Sequence, residues 1–289
     1  MRLLIAGAGG MLGQDVRRAG ERAGHEILGL SHQELDITDA LAVEELLAQL
    51  KPDAVLNCAA WTDVDGAESQ PAAALAVNGA GAGNVARAAA TAGARVIHIS
   101  TDYVFAGEAP LDRAGAARAY VESDATGPLS VYGQSKLEGE RQVLDASPRH
   151  CVVRSSWLFG LGGRNFADTM LALARERDAV QVVSDQFGCP TWTGHLAPAL
   201  LGLLERALTG VVHLAGSGVV SWNGFAAEIF RQAELDCRVE GASSEQSKRP
   251  APRPAWSALE SEREDVLPLP PWQDGLGGYL AARAGMMRA

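Results

Sequence analysis

The 289-residue sequence predicts an α/β protein, a doubly wound parallel sheet with a smaller C-terminal α/β domain. Three observations predict it. Short apolar runs alternate with helix-length segments through the first half, the pattern of βαβ units. A glycine-rich turn follows the first run and opens directly into a helix. The alternation then loses its regularity after about residue 158, with enough chain left for a second unit.

Taken in order, Leu3 to Ala6 is a short apolar strand and Met11 to Ala23 a helix. Glu26 to Leu30 is a strand, Ala40 to Leu50 a helix, and Ala54 to Cys58 a strand. An alanine-rich helix over Ala72 to Ala92 leads to the strand Arg95 to Ser100. The connection Ala106 to Leu129 is rich in Gly, Pro and Ala, and loops of such length tend to be lids or binding loops. Ser130 to Leu144 is a helix and Cys151 to Arg154 a strand. Beyond it come a helix (Phe166 to Glu176), a strand (Val180 to Val183), a helix (Leu196 to Ala207), a strand (Val211 to Leu214) and a helix (Trp222 to Glu234). A polar, proline-rich stretch over Ser243 to Pro254 precedes a last helix within Pro268 to Arg283.

Composition narrows the function. A net charge of -10 argues against a nucleic-acid partner. Cys58, Cys151, Cys189 and Cys237 are far apart with no CxxC, which points to reduced thiols and a cytoplasmic setting rather than a zinc site or disulfide frame. Glycines interrupt the apolar start too early for a signal peptide, and no apolar run approaches the ~20 residues that span a bilayer.

Gly7-Ala8-Gly9-Gly10-Met11-Leu12-Gly13 is the glycine turn. Glycine lets a backbone turn tightly and come close to a pyrophosphate, and the helix that follows offers free N–H groups and its positive dipole end. The strand–turn–helix context makes this a Rossmann-like dinucleotide site. The second strand ends at Leu30-Ser31-His32 without the acid that commonly reads the adenosine ribose. That leaves room for a 2′-phosphate, approached by His32 or Arg17, so NADPH is expected, with NADH tolerated.

Tyr132 and Lys136 stand one helical turn apart on one face. A cation beside a phenol favours the phenolate, so the spacing predicts a tyrosine made more acidic than its usual ~10. A bare YxxxK is common and carries little alone. Thr101 adds a hydroxyl at the carboxyl end of a central strand, where ligands of doubly wound sheets sit. With the glycine turn, Thr101 and Tyr132/Lys136 in that order, the chain resembles the extended short-chain dehydrogenase/reductase family.

The likeness sharpens in longer stretches. Asn57 to Glu68 is similar to the NCAAYTxVDxAE stretch of dTDP-4-dehydrorhamnose reductases, and Ser100 to Phe105 matches their STDYVF. Tyr120 to Asp124, Tyr132 to Glu140, Arg154 to Trp157, Asn165-Phe166, Asp185 to Thr191 and Arg253 to Leu259 resemble YxExD, YGxSKLxGE, RTSW, NF, DQxGxPT and RPxYSxL. The sequence departs by Trp61 and Trp256 in place of tyrosines, Ala119 in place of a proline, and Ser155 in place of a threonine.

The resemblance implies reduction of the 4-keto group of dTDP-4-dehydro-L-rhamnose. Thr101, Tyr132 and Lys136 are the expected catalytic group: carbonyl polarisation, general acid, and a cation that lowers the tyrosine pKa and holds the nicotinamide ribose. Cofactor contacts are expected from Gly7, Gly10, Met11, Leu12, Gly13, Ser31, Asp36, Ile37, Ala59, Ala60, Tyr132 and Lys136. Substrate contacts are expected from Val64, Thr101, Asp102, Tyr103, Tyr132 and Trp157. Residues 1–158, with a returning segment of about 180–212, are expected to bind NADP(H), and 159–179 with 213–289 to bind substrate. Tyr103 stands where related dehydratases carry a glutamate, which disfavours dehydration; an epimerase shares the Thr/Tyr/Lys set. A reductase of a related keto-deoxysugar, such as a dihydrostreptose precursor, and a non-catalytic regulatory subunit are the alternatives. The resemblance allows a homodimer and Mg2+ at its contact, but no compact carboxylate cluster in the sequence asks for a metal.

Overall fold

The computed structural model describes residues 1–246 and 249–286; residues 247, 248 and 287–289 of the expected substrate domain lie outside it. The first half runs β1 (Arg2–Ala6), α1 (Met11–Arg22), β2 (Glu26–Leu30), α2 (Ala40–Leu50), β3 (Ala54–Asn57), α3 (Val64–Ser69), α4 (Pro71–Leu75), a π-helical turn (Ala76–Gly81), α5 (Ala82–Thr91) and β4 (Arg95–Thr101). Then follow α6 (Val131–Ala146), β5 (Cys151–Ser155), β6 (Leu158–Phe159), α7 (Phe166–Leu173), β7 (Ala179–Val183), β8 (Phe187–Gly188) and β9 (Thr191–Trp192). The chain closes with α8 (Thr193–Glu205), β10 (Gly210–His213), β11 (Val220–Ser221), α9 (Trp222–Gln232), β12 (Arg238–Ala242) and α10 (Trp272–Met286).

Six strands form one parallel sheet in the order β10-β5-β4-β3-β1-β2. Strand residues alternate between its faces. Leu3, Ile5, Leu56, Ile97 and Val153 pack under α1 and α8, through Val16, Leu196, Leu200 and Leu204. Leu4, Val55, Val96 and Val152 face Val43, Leu47, Val85, Ala86 and Val143 on the other side. Burial of each large apolar side chain contributes ~1.5–3 kcal/mol. Strand order reverses between β1 and β3, so the turns after these two strands flank the crevice where such sheets bind ligands. A separate core of Phe159, Met170, Phe225, Ile229, Trp272 and Tyr279 holds the smaller part together.

Three expectations change. The alanine-rich helix is not continuous: α4 and α5 are separated by the π-helical turn. There the Asn78 side chain accepts the Trp61 N–H (2.9 Å) and donates to the Trp61 carbonyl (3.1 Å) and the Ser135 hydroxyl (3.0 Å). These tertiary bonds stabilise a widened turn that alanine periodicity cannot announce.

The strand at 180–183 does not return to the large sheet. β7 pairs in parallel with β12, and only α8 and β10 rejoin the large sheet. β7 buries Val180 and Val182 in the smaller core, where α9 packs.

The long connection 106–129 does not line the cleft described below. It is bound instead to the C-terminal segment. The Tyr120 N–H donates to Ala258 (2.8 Å), the Trp256 indole N–H donates to Arg118 (2.9 Å), and Tyr120 stacks on Phe105 at 4.1 Å. Trp256 therefore keeps a polar contact where a tyrosine was replaced, as does Trp61, whose indole donates to the Asp63 carbonyl (2.9 Å). Arg118 forms a double ion pair with Asp124 (2.6 Å for each oxygen), fixing the loop beside Ala119.

Candidate active site

A single cleft of about 1080 Å³ opens along the carboxyl ends of β1–β5. All the expected cofactor and substrate contacts line it: the glycine turn (Gly7, Gly10, Met11, Leu12, Gly13), Ser31, Asp36, Ile37, Ala59, Ala60, Val64, Thr101, Asp102, Tyr103, Tyr132, Lys136 and Trp157. The volume exceeds that of a common small-molecule pocket (~300–1,000 Å³) and suits a dinucleotide beside a second ligand.

At one end the backbone is shaped for a diphosphate. Gly7 has φ of +77°, and a Cβ there would stand 2.7 Å from the Ala59 nitrogen; one on Gly13 would collide with the Gly7 carbonyl. α1 follows Gly10, which gives it no side-chain cap, and has no acid in its first turn, so its N–H groups and dipole are free for an anion. Asp36 accepts both the N–H (2.9 Å) and hydroxyl (2.8 Å) of Thr38, which hold its carboxyl below the usual range.

The ribose end differs from the expectation in detail. Arg17 does not line the cleft; its guanidinium lies 3.3 Å from Glu21, one turn along α1. His32 does line it. An acid is present after all, but three residues late: Glu34 accepts the Ser31 N–H and hydroxyl, each at 2.8 Å. Both bonds draw its carboxyl pKa down.

The reacting end is built by β4, α6 and the turn after β4. Thr101 caps the short 3-10 turn Asp102–Val104, accepting the Tyr103 N–H (3.2 Å) and donating to Asp102 (3.0 Å). Ser130 caps α6 by accepting the Gly133 N–H (3.1 Å), which sets Tyr132 in the first turn. The Tyr103 and Tyr132 rings meet edge to face at 5.7 Å. Asp102 is 2 % exposed, and its Oδ2 has no hydrogen-bond partner among the described residues. Burial raises its pKa to about 6, against the pull of the Ser257 and Thr101 hydroxyls.

Tyr132 departs from the sequence expectation. Desolvation pushes its phenol up to about 12, opposed by the Thr101 hydroxyl and reinforced by Asp102; Lys136 is not among the causes. Lys136 is buried and its ammonium is engaged elsewhere, donating to the Ile99 carbonyl (2.6 Å) and lying 3.3 Å from His98 Nε2. Burial lowers it to about 8, against the pull of Glu140 and Cys58. Burial, then the Lys136 charge, keeps His98 neutral. Behind this group Glu140 and Arg154 form a buried pair (2.7 Å), with Ser100 donating to the same carboxylate (2.5 Å).

Among the lining residues that sequence reasoning did not assign to the site, Cys58, Arg164 and Trp222 bear on its chemistry. Cys58 lies beside Lys136, and burial raises its thiol to about 12. Arg164 reaches the cleft from the Gly160–Gly163 loop, which Asn165 pins by donating to Gly160 (2.9 Å) and Gly163 (3.1 Å). Trp222 stacks on Trp157 with centroids 3.5 Å apart and planes within 3°. Trp157 has φ of +47°, a conformation that costs a bulky residue ~1–3 kcal/mol. Neither Arg164 nor Trp222 belongs to a local signal; each arrives through tertiary structure. Among the described residues, no group of three or more His, Cys, Asp or Glu is placed to hold a metal, and no helix is long and apolar enough to cross a membrane.

Known proteins resemble this chain over nearly its whole length. Residues 1–284 match the family model described as RmlD substrate binding domain. A dTDP-4-dehydrorhamnose reductase of Mycobacterium tuberculosis (strain ATCC 25618 / H37Rv) is 46% identical over 98% of this chain and 93% of that protein. The crystal structure of a dTDP-4-dehydrorhamnose reductase from Clostridium acetobutylicum superposes with a TM-score of 0.92 at 37% identity, covering 98% of this chain and 100% of that one. The Bacillus anthracis reductase, solved in complex with NADP, also gives 0.92, at 34% identity over 97% of this chain and 99% of that one. On sequence and structure together, the chain belongs to the dTDP-4-dehydrorhamnose reductase family.

Proposed function

We propose that the protein reduces the 4-keto group of dTDP-4-dehydro-L-rhamnose to dTDP-L-rhamnose with NADPH, a step of deoxysugar nucleotide biosynthesis. The observation that carries this is one cleft with a glycine cradle at one end and Thr101, Tyr132 and Lys136 at the other, in a chain of this family. The large-sheet part would hold the cofactor, and the smaller part would close on the sugar.

NADPH would lie with its diphosphate on the Gly7–Gly13 turn, and its chemistry is delivery of a hydride to the carbonyl carbon. The protein's task is the proton and the charge. Reduction leaves an alkoxide on the former carbonyl oxygen, and Tyr132 is the donor that neutralises it, giving the alcohol. A phenol held near 12 is protonated at neutral pH, as a proton donor must be, and a sugar alkoxide is a far stronger base. Thr101 orients the same oxygen once its O–H turns from Asp102 to the substrate; a donor to a developing oxyanion contributes ~3 kcal/mol in other enzymes. Lys136 lines the cleft, and its ammonium has a donor left for a ribose hydroxyl while another is held by the Ile99 carbonyl.

The test is turnover. Purified protein is supplied with dTDP-4-dehydro-L-rhamnose generated in a coupled reaction, and NADPH absorbance is followed with product analysis. Stoichiometric oxidation with dTDP-L-rhamnose formed is the expected result. No oxidation with this or related keto-sugars sinks the reading in favour of a regulatory subunit.

A further inference from the structure

We propose that Trp222 is a positioning and specificity residue for the sugar: it locks Trp157 into a two-indole platform that receives the apolar face of a 6-deoxyhexose. The inference rests on the nucleotide-sugar reading above. Trp157 holds a left-handed backbone conformation that a bulky side chain keeps only when its surroundings over-determine it. Those surroundings come from separate stretches of chain. The Trp222 ring covers the Trp157 ring at 3.5 Å, and Phe166 lies against Trp222 at 4.6 Å. β11 pairs with β8, Val220 opposite Gly188, and the Trp222 N–H donates to Gln186 (3.3 Å), which fixes where α9 begins. Any side chain at Gly188 would strike the Trp157 indole. The smaller part of the protein thus dictates the orientation of an aromatic residue that leaves the large sheet.

Position selects the ligand. Trp157 follows the end of β5 by two residues, and in that strand Ser155 is in register with Thr101. The platform therefore stands at the reacting end of the cleft, away from the ribose end beyond β2, and both indoles line that cleft. Trp222 covers one face of Trp157 and Gly188 lies over the other, so the stacked pair turns its apolar ring edges to the cleft. A 6-deoxyhexose supplies the complement, ring C–H bonds and a methyl group; the thymine base is the other flat group of the substrate.

Trp222→Ala and Trp222→Phe in the full chain test the proposal. Trp222→Ala is expected to raise KM for dTDP-4-dehydro-L-rhamnose about 10-fold, the scale of one aromatic contact, and to weaken dTDP-L-rhamnose binding equally. The Kd of NADPH and the inhibition constant of dTDP are expected to stay unchanged, and Trp222→Phe is expected to recover most of the loss. The exciton couplet of the stacked indoles in far-ultraviolet circular dichroism disappears in both variants and shifts in the wild type when dTDP-L-rhamnose binds. An unchanged KM in Trp222→Ala, or a couplet indifferent to the sugar nucleotide, overturns the platform. Equal weakening of dTDP assigns it to the base and overturns the sugar assignment. Failure of the wild type to bind or reduce the nucleotide sugar at all counts against the functional reading itself, which keeps the two failures apart.

Discussion

Replacing Asp102 by asparagine separates stability from function at one buried atom. The carboxyl is 2 % exposed and its pKa is raised from 3.8 to about 6, mainly by burial. At ~1.36 kcal/mol per pH unit, ionising it in the folded protein costs about 3 kcal/mol more than in the unfolded chain. Because the folded value is the higher one, the native state binds more protons between pH 3.8 and about 6. Stability contributed by this group therefore falls as pH rises through that window, and the loss is complete above it. Asp102→Asn removes the ionisation. It keeps an oxygen for the Thr101 hydroxyl and turns its amide toward Ser257, whose oxygen can accept. Near neutral pH the variant is expected to be more stable by up to about 3 kcal/mol, roughly 5 °C in Tm for a chain of 289 residues. The gain should shrink to nothing as pH falls toward 4. Thermal unfolding of both proteins across this range measures it, and the difference between them cancels the titration of all other groups. A variant that is less stable at every pH, or a difference independent of pH, refutes the reasoning.

Tyr132→Phe should lower kcat at least ~100-fold, the scale of general acid catalysis, with NADPH Kd retained; near-normal turnover would show that another group delivers the proton. Glu34→Ala frees the Ser31 N–H and hydroxyl from a carboxylate and should favour NADPH over NADH by about 10-fold in the ratio of KM values, as one charge-assisted hydrogen bond would. An unchanged ratio means that Glu34 swings clear when cofactor binds. Glu140→Gln leaves the Arg154 cation buried without its counter-ion and should cost ~3–5 kcal/mol in urea unfolding, whereas Glu140→Leu with Arg154→Met should recover most of it. Equal losses in both variants would indicate that packing, not charge, holds this layer.

The sequence carried much of this architecture because the large sheet is specified locally. Gly7 to Gly13 shapes its own turn, the strand ends follow from alternating apolar runs, and i,i+4 spacing puts Tyr132 and Lys136 on one side of α6. Spacing does not say where a long side chain ends. The Lys136 ammonium is drawn to Ile99 and His98, so the phenol feels burial more than the cation, and its pKa moves opposite to the expectation. Glu34 escaped notice because its carboxylate folds back across a turn to Ser31. Trp222, Arg164 and the β7–β12 pairing depend on segments remote in the chain, and no periodic or turn signal encodes such meetings.

The late return of α8 and β10 has a consequence for synthesis. β5 has its outer edge unpaired until β10 is made, and the face of Leu3, Ile5, Ile97 and Val153 has only α1 over it until Leu196, Leu200 and Leu204 arrive. On the ribosome, the amino-terminal half therefore emerges with an open strand edge and a partly covered greasy face, the features that invite misassociation. It cannot be completed until the intervening β6–β9 region has also been translated. Cutting the gene after residue 158 would yield a fragment frozen at that stage. A dissected cofactor-binding unit has to carry 193–213 with it, supplied through a linker or in trans.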